Sequence, residues 1–296
     1  MNDEEVKSDI QISVINWFPG HMTKAKREMQ EKLKMVDLII ELRDARIPKS
    51  SKNPLIDEIS NQKPRLILLS KNDKAVSSET NKWIKVLSEE EYIKKVIAVN
   101  IISDNMTKII SEAANEIMKD KIERQIRRGI KPRAIRAMVV GVPNVGKSTL
   151  INRIAKKKAV QAANRPGVTR ALQWVKVTNN LELLDTPGVL WPKFDDQMTG
   201  INLAVTGAIR DEILPLDQIC LYAIDYLTKN YVNALENRYG IKIANSPYET
   251  FLAIAKERNC YLANEVLDEK RCIQMIMKDI RNDAMGSITW ELVDEN

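Results

Sequence analysis

The 296-residue sequence contains few of the side chains that build disulfide, zinc or redox sites. It has three cysteines and one histidine, and Cys220, Cys260 and Cys272 form no C-x-x-C pair. Structural zinc sites and thiol redox motifs need closely spaced cysteines or histidines, so the sequence argues against both classes. We expect three buried free thiols, which suit a reducing compartment.

Long apolar runs are also lacking. No segment approaches the roughly 20 apolar residues needed to cross a bilayer. The acidic start, residues 1–5, is unlike a secretory or mitochondrial leader. We therefore expect a cytoplasmic protein without membrane contact. With 44% hydrophobic and 29% charged residues, the chain is long enough for two domains that each have a core.

The segment 141–149 is the strongest motif that is present. It reads Gly-Val-Pro-Asn-Val-Gly-Lys-Ser-Thr and fills the G-x-x-x-x-G-K-[ST] pattern of a phosphate-binding loop. An apolar run precedes it and a helical pattern follows, as the motif requires. We expect Lys147 to bind the β and γ oxygens and Ser148 to bind Mg²⁺. The predicted phosphate contacts are Asn144, Val145, Gly146, Lys147, Ser148 and Thr149.

Two further segments are predicted to complete the phosphate side of the site. Asp185 and Gly188 bound an Asp-Thr-Pro-Gly motif that follows a short apolar run. We expect Asp185 to anchor Mg²⁺ through water and the Gly188 N–H to face the γ-phosphate. Thr169 lies in a polar loop between the motifs and is the candidate switch residue that completes the Mg²⁺ shell. Lys147, Thr169 and Gly188 are accordingly assigned catalytic roles.

A base-reading motif, Ser70-Lys71-Asn72-Asp73, follows the apolar run 66–69. The Asp73 carboxylate can accept hydrogen bonds from guanine N1–H and the N2 amine, whereas adenine offers no such donors. The Lys71 stem is expected to lie over the base. Ser70 replaces the usual Asn and loses its amide donor, which puts the usual loop contact in doubt. The later Thr-Lys-Asn-Tyr segment, residues 228–231, lacks the carboxylate and has the pattern of an amphipathic helix.

The base-reading motif precedes the phosphate-binding loop, so the order of the GTPase motifs is circularly permuted. Short apolar runs alternate with charged helical segments, which predicts an α/β fold with a doubly wound, mostly parallel sheet. We assign residues 1–200 to this permuted P-loop GTPase domain. Residues 201–296 show helical spacing only and are predicted to form a small all-helical domain, connected directly to the switch region.

Several segments resemble the ribosome biogenesis GTPase A family. They are Asn16-Trp17-Phe18-Pro19-Gly20-His21-Met22, Asp44-Ala45-Arg46-Ile47-Pro48, the Pro143-Asn144 loop and the tail motifs around 279–281 and 286–289. The resemblance implies a cytoplasmic GTPase that binds the large ribosomal subunit late in assembly and is stimulated by it. It also implies an RNA-docking role for the helical domain.

The residues after the Asp-Thr-Pro-Gly motif are Val189 and Leu190, where small GTPases carry a glutamine that orients water. We therefore expect low intrinsic activity.

In the resembled family the histidine at the position of His21 is proposed to assist hydrolysis. The alternative is that the surrounding segment only docks the N-terminal arm, while His21 contacts RNA or solvent. Asn144 resembles the asparagine of GTPases that hold K⁺ beside the phosphates, or is an ordinary turn residue.

Charge is unevenly distributed along the chain. Residues 201–296 hold 10 Lys and Arg against 15 Asp and Glu, whereas the whole chain has a net charge of +6. The segment 119–136 alone carries eight basic and two acidic residues. Such clusters favour a polyanionic partner, and ribosomal RNA is a polyanion of this kind.

The rival interpretations of the function are a signalling switch with a protein effector and a P-loop ATPase or kinase. Off the ribosome we expect a monomer.

Overall fold

The computed structural model describes residues 21–60, 62–155, 172–191, 194 and 196–293. They divide into two compact units, a sheet unit over 16–195 with 289–296 and a helical unit over 196–288. The helical unit thus begins at Asp196 rather than at residue 201. Thr289–Val293, which the sequence analysis assigned to the helical domain, belongs to the sheet unit, and we call it the return segment.

Six strands form one sheet among the described residues, in the order β3-β2-β1-β4-β6-β5. They are β1 Leu38–Asp44, β2 Arg65–Ser70, β3 Ile93–Val99, β4 Ile135–Val140, β5 Gln173–Thr178 and β6 Leu181–Asp185. All neighbouring strands are parallel except β5 and β6. The predicted α/β fold with a mostly parallel sheet is therefore confirmed, and the antiparallel edge strand β5 is an addition to it.

Five described helices belong to the sheet unit. They are α1 His21–Leu33, α2 Pro54–Ser60, α3 Ser77–Ser88, α4 Met106–Arg127 and α5 Lys147–Ala155. The Asn105 side chain caps α4 by accepting a hydrogen bond from the Lys108 N–H, which satisfies a free donor of the first turn. The helix continues to Arg127, so only a short linker joins it to β4 across the permutation.

The central strands are buried on both faces, which explains their continuous apolar runs. Every residue of β1 is buried, including the ion pair in which Arg43 Nε lies 2.8 Å from Glu41 Oε1. The strand register aligns Asp44 with Ser70 and Val139 with Asp185. The carboxyl ends of these parallel strands therefore meet at one edge of the sheet.

The helical unit consists of α6 Gln197–Val205, α7 Leu216–Asn230, α8 Val232–Tyr239, α9 Pro247–Glu257 and α10 Glu269–Arg281 among its described residues. The first of these helices begins before residue 201, where the sequence analysis placed the start of the helical domain, and ends at Val205. Gly207 has a φ of 81°, a left-handed conformation typical of the residue after a helix end. All three cysteines are buried and free, as predicted. No helix of the described ranges has the length and apolar character of a membrane span.

Candidate active site

Three of the predicted motifs lie at the carboxyl edge of the sheet. The base-reading motif ends β2, the phosphate-binding loop follows β4, and the Asp-Thr-Pro-Gly segment ends β6. Ligands of open α/β sheets bind outside this edge. Because these strands are parallel and lie near one another in the sheet, the permuted order leaves the motifs on a common side.

The phosphate-binding loop has the backbone geometry of an anion-binding site. Asn144 and Gly146 both have positive φ, 57° and 110°, and α5 begins at the next residue, Lys147. The φ of 110° at Gly146 is one that residues with a Cβ rarely adopt, so glycine is strongly favoured there. Successive N–H groups at the helix N-terminus can therefore turn toward phosphate oxygens.

Lys147 and Asp185 form the electrostatic centre of the site. The Lys147 ammonium is buried and donates hydrogen bonds to Gly141 O at 3.0 Å and Val142 O at 2.8 Å. Burial lowers the pKa of Lys147 to about 8, with Asp185 acting in the opposite direction. Burial raises the pKa of Asp185 to about 6, although Lys147 and the Thr186 N–H oppose the shift.

The surroundings of Asp185 fit a magnesium site. Its carboxylate is fully buried, and neither oxygen makes a full hydrogen bond with a described residue. Such buried charges are costly unless a cation compensates them. Within the described ranges no three His, Cys, Asp or Glu side chains cluster around a metal position. Mg²⁺ commonly uses one or two protein ligands with phosphates and waters, so Asp185 and the Ser148 hydroxyl are a sufficient set.

Gly188 packs closely against the phosphate-binding loop. A Cβ there would be 2.8 Å from Pro143 Cα and 2.9 Å from Lys147 Nζ, so only glycine fits. The next residues, Val189 and Leu190, are buried. Asn53 Nδ2 donates to Val189 O at 2.8 Å and holds this backbone in place. No side chain at these two positions can accept a proton or orient water.

Ser70 connects the base-reading motif directly to the phosphate-binding loop. Its hydroxyl donates to Val145 O at 2.7 Å and lies 3.1 Å from Arg43 O. Ser70 therefore makes a contact that supports the loop, although it replaces the usual Asn of this motif. Lys71 has a φ of 58°, and a 3-10 turn over Asn72–Lys74 follows, on which Asp73 is exposed.

Asp44 is a member of this site that the sequence analysis did not assign. Its carboxylate binds the Arg46 guanidinium at 3.0 and 2.8 Å and the Lys71 ammonium at 2.9 Å. Burial alone would raise the pKa of Asp44, but Arg46 and Lys71 outweigh it and hold the pKa well below the ordinary value. Asp44 could have been assigned from its position at the end of β1, on the same sheet edge as Ser70.

Replacing Asp44 by Asn should lower the free energy of unfolding by about 3–5 kcal/mol near neutral pH, because Arg46 and Lys71 lose a buried charged partner. The pKa of Asp44 is lower in the folded protein than the value of 3.8 expected when unfolded. Its contribution is therefore present above that value and is lost as the pH falls below it. Urea unfolding of both proteins should give a constant difference from about pH 7 to 5 and a smaller one below about pH 4.

An exposed carboxylate is the control for that comparison. Glu31 pairs with Arg27 on the surface of α1, with side chains 63% and 83% exposed. Glu31→Gln should change the unfolding free energy by less than about 0.5 kcal/mol at any pH tested. A difference between wild type and Asp44→Asn that grows as the pH falls would contradict the assigned ion pairs.

The structure brings most predicted site residues to one sheet edge. These are Ser70, Lys71, Asp73, Asn144, Val145, Gly146, Lys147, Ser148, Thr149, Asp185 and Gly188. His21 is the first residue of α1, but its side chain is not among those described. Thr169 lies outside the described residues.

A phosphate-binding loop, a buried carboxylate suited to Mg²⁺ and a base-reading loop at one edge of a parallel sheet define a P-loop GTPase with permuted motifs. A family model described as 50S ribosome-binding GTPase matches residues 136–255. The chain is 46% identical over 283 residues to ribosome biogenesis GTPase A of Bacillus cereus, covering 95% of both chains. It therefore belongs to the ribosome biogenesis GTPase A family, is a GTPase and has a role in ribosome assembly.

Other relatives agree with this assignment. Ribosome biogenesis GTPase A of Bacillus licheniformis is 47% identical, over 94% of this chain and 98% of that protein. Mitochondrial ribosome-associated GTPase 1 of Bos taurus is 37% identical, over 77% and 70%. The solved structure of GNP-bound YlqF from T. maritima has the same fold, with a TM-score of 0.64 at 24% identity over 91% of this chain and 98% of that one.

Proposed function

We propose that this GTPase acts on the large ribosomal subunit, binds its rRNA and is activated by it. The observation that carries the proposal is an exposed basic surface on a GTPase unit that lacks a residue for orienting water. We further propose a cytoplasmic protein that binds GTP and GDP with Mg²⁺ and is a monomer off the ribosome. The description of the matched family model, 50S ribosome-binding GTPase, supports the choice of subunit.

The need for activation follows from the residues beside Gly188. Val189 and Leu190 are apolar and buried, at 1% and 0% exposure, in the place where small GTPases orient the attacking water. The Lys147 ammonium can stabilise charge on the transferred phosphoryl group but cannot position a water molecule. Intrinsic hydrolysis is therefore slow, and we assign the missing function to His21 in the subunit-bound state.

The basic surface lies at the end of α4 and in the linker after it. Lys119, Arg127, Arg128 and Lys131 are exposed and have no carboxylate partner among the described residues. Lys121 and Arg133 bind Asp37 instead, at 2.7 Å each. Four exposed cations without carboxylate partners on one short stretch attract a polyanion and release its counterions on binding. An rRNA backbone has the required charge density.

The decisive experiment measures GTP turnover with and without purified large subunits. We expect stimulation with large subunits and none with small subunits or ribosome-free extract. His21→Ala should lower the stimulated rate at least about tenfold, because loss of a group that positions water or transfers a proton commonly costs 10²–10⁴-fold. GDP affinity should be unchanged. Equal stimulated rates for wild type and His21→Ala would contradict a role of His21 in hydrolysis. Absence of stimulation would contradict the large subunit as the activating partner.

The triple variant Arg127→Ala, Arg128→Ala, Lys131→Ala tests the basic surface. Its affinity for large subunits should fall, and the slope of log affinity against log salt should decrease by up to about 2–3, near 0.7–0.9 for each lost phosphate contact. The matched control replaces Lys85, Lys94 and Lys108, which are exposed elsewhere on the sheet unit. An equal loss in both triples would indicate a nonspecific charge effect and would contradict a defined RNA surface.

Two finer assignments complete the proposal. Asn144, with its positive φ of 57°, is proposed as a K⁺ ligand beside the phosphates, where a cation would supplement Lys147. Thr169 is proposed as the switch threonine that completes the Mg²⁺ shell.

A further inference from the structure

The return segment, Thr289–Val293, contacts both sides of the guanine end of the site. Its first residue is fully buried, and Trp290 is 4% exposed. The partners of this segment lie more than 200 residues earlier in the chain, in the loop after β1 and in the turn and helix after β2. These are the two segments that present Asp44 and the base-reading motif.

On one side, the return segment holds the start of α3. The Val76 N–H donates to Thr289 Oγ1 at 3.0 Å, three residues after Asp73. The Trp83 indole N–H donates to Glu291 O at 2.8 Å, and the Val293 N–H donates to Glu79 Oε2 at 3.2 Å. The base-reading turn is therefore fixed at its carboxyl end by the Thr289 hydroxyl, as it is fixed at its amino end by Ser70.

On the other side, the segment holds the loop after β1. The Glu291 carboxylate accepts hydrogen bonds from the Lys49 N–H at 2.7 Å and the Ser50 N–H at 2.8 Å. The Trp290 N–H donates to Arg46 O at 2.8 Å. The Arg46 side chain in turn binds Asp44, which holds the Lys71 ammonium. The return segment thus holds the loop after β1 through Glu291, and its Trp290 N–H binds the residue whose side chain, through Asp44, contacts the base-reading lysine.

We propose that the return segment is a positioning element for guanine recognition, in which Thr289 and Glu291 set the placement of Asp73 and Lys71. The hydrogen bonds from the Val76, Lys49 and Ser50 N–H groups to Thr289 and Glu291 hold the backbone on either side of the base-reading side chains. The inference rests on the proposed role of Asp73 as the base reader. It predicts that changes at Thr289 alter discrimination between bases rather than contacts with the phosphates.

The test compares GDP and IDP binding to full-length variants. Hypoxanthine lacks the exocyclic N2 amine, so the ratio of the IDP Kd to the GDP Kd reports the Asp73 contact. Thr289→Val keeps the side-chain shape but removes the acceptor of the Val76 N–H. It should weaken GDP binding about 5–20-fold, as expected for a lost hydrogen bond that leaves a partly buried donor unpaired, and IDP binding much less. Thr289→Ser should restore the ratio, and Glu291→Gln should lower it more mildly.

Leu292→Ala is the matched control, because this side chain lies in the same segment but is 44% exposed. Its Kd ratio should equal that of wild type. If Thr289→Val and Glu291→Gln lower the melting temperature but keep the wild-type Kd ratio, the segment only supports the core and the inference is overturned. Asp73→Asn is measured in parallel: an unchanged ratio there would overturn the base-reading assignment itself, whatever the Thr289 variants do.

Discussion

Replacing Asp73 by Asn is expected to weaken GTP binding by a factor of about 10²–10⁴, because two hydrogen bonds to a charged acceptor are lost, each contributing about 1.5–3 kcal/mol. Guanine presents two donors, N1–H and the N2 amine, whereas Asn offers one acceptor and one donor group. Xanthine carries an oxygen at the position of that amine and can accept from the Asn side chain. The variant should therefore gain binding to XDP and XTP.

Competition between labelled GDP and unlabelled nucleotides measures both changes in one assay. Asp120→Asn is the control, because Asp120 is an exposed carboxylate of α4 away from the sheet edge that carries the motifs. Wild-type guanine affinity in Asp73→Asn would mean that another segment reads the base. The permuted interpretation of the motif order would then fail, since residues 228–231 lack a carboxylate.

Replacing Asp185 by Asn should change activity and stability in opposite directions. Loss of the anchoring carboxylate should lower Mg²⁺-dependent turnover by about 10²–10³-fold, the range seen when one preorganised electrostatic group is removed. In EDTA, the same change removes a buried carboxylate whose loss of hydration outweighs the opposing effects of Lys147 and the Thr186 N–H. The variant protein should therefore melt at a higher temperature than wild type.

Glu182→Gln is the matched control for this prediction, since Glu182 lies on the same strand, β6, and pairs with Arg136 at 3.0 Å. It should change neither turnover nor melting temperature by much, because this pair is partly exposed. Wild-type turnover in Asp185→Asn would exclude Asp185 as the Mg²⁺ anchor. A lower melting temperature in EDTA would show that the carboxylate is compensated within the folded protein.

The strands could be predicted from sequence because parallel strands buried on both faces appear as continuous apolar runs. The apolar runs before the base-reading motif and the phosphate-binding loop correspond to β2 and β4, whereas the buried Glu41 and Arg43 interrupt the apolar residues of β1. The edge strand β5 was missed because its residues are mostly half-buried or exposed, so Gln173–Thr178 carries little apolar signal. Helix ends depended on single residues such as Gly207, whose backbone conformation is not visible in periodicity.

The site residues that were missed depend on long-range geometry. Arg46 is two residues from Asp44, but the Lys71 contact arises only because β1 and β2 pair with Asp44 opposite Ser70. The return segment lacks apolar periodicity, and its hydrogen-bond partners lie in the loop after β1 and in the turn and helix after β2, more than 200 residues away. Sequence motifs indicate local chemistry, but they do not show which distant backbone groups will form hydrogen bonds with a short irregular segment.

Because the chain leaves the sheet unit after residue 195 and re-enters it at Thr289, the helical unit is an insertion within the sheet unit. A fragment ending at residue 200 would lack the acceptors for Val76, Trp83, Lys49 and Ser50. Domain dissection by simple truncation would thus remove a structural part of the GTPase unit itself. An isolated GTPase unit that keeps these hydrogen bonds must retain the return segment in the same chain, with residues 196–288 replaced by a linker.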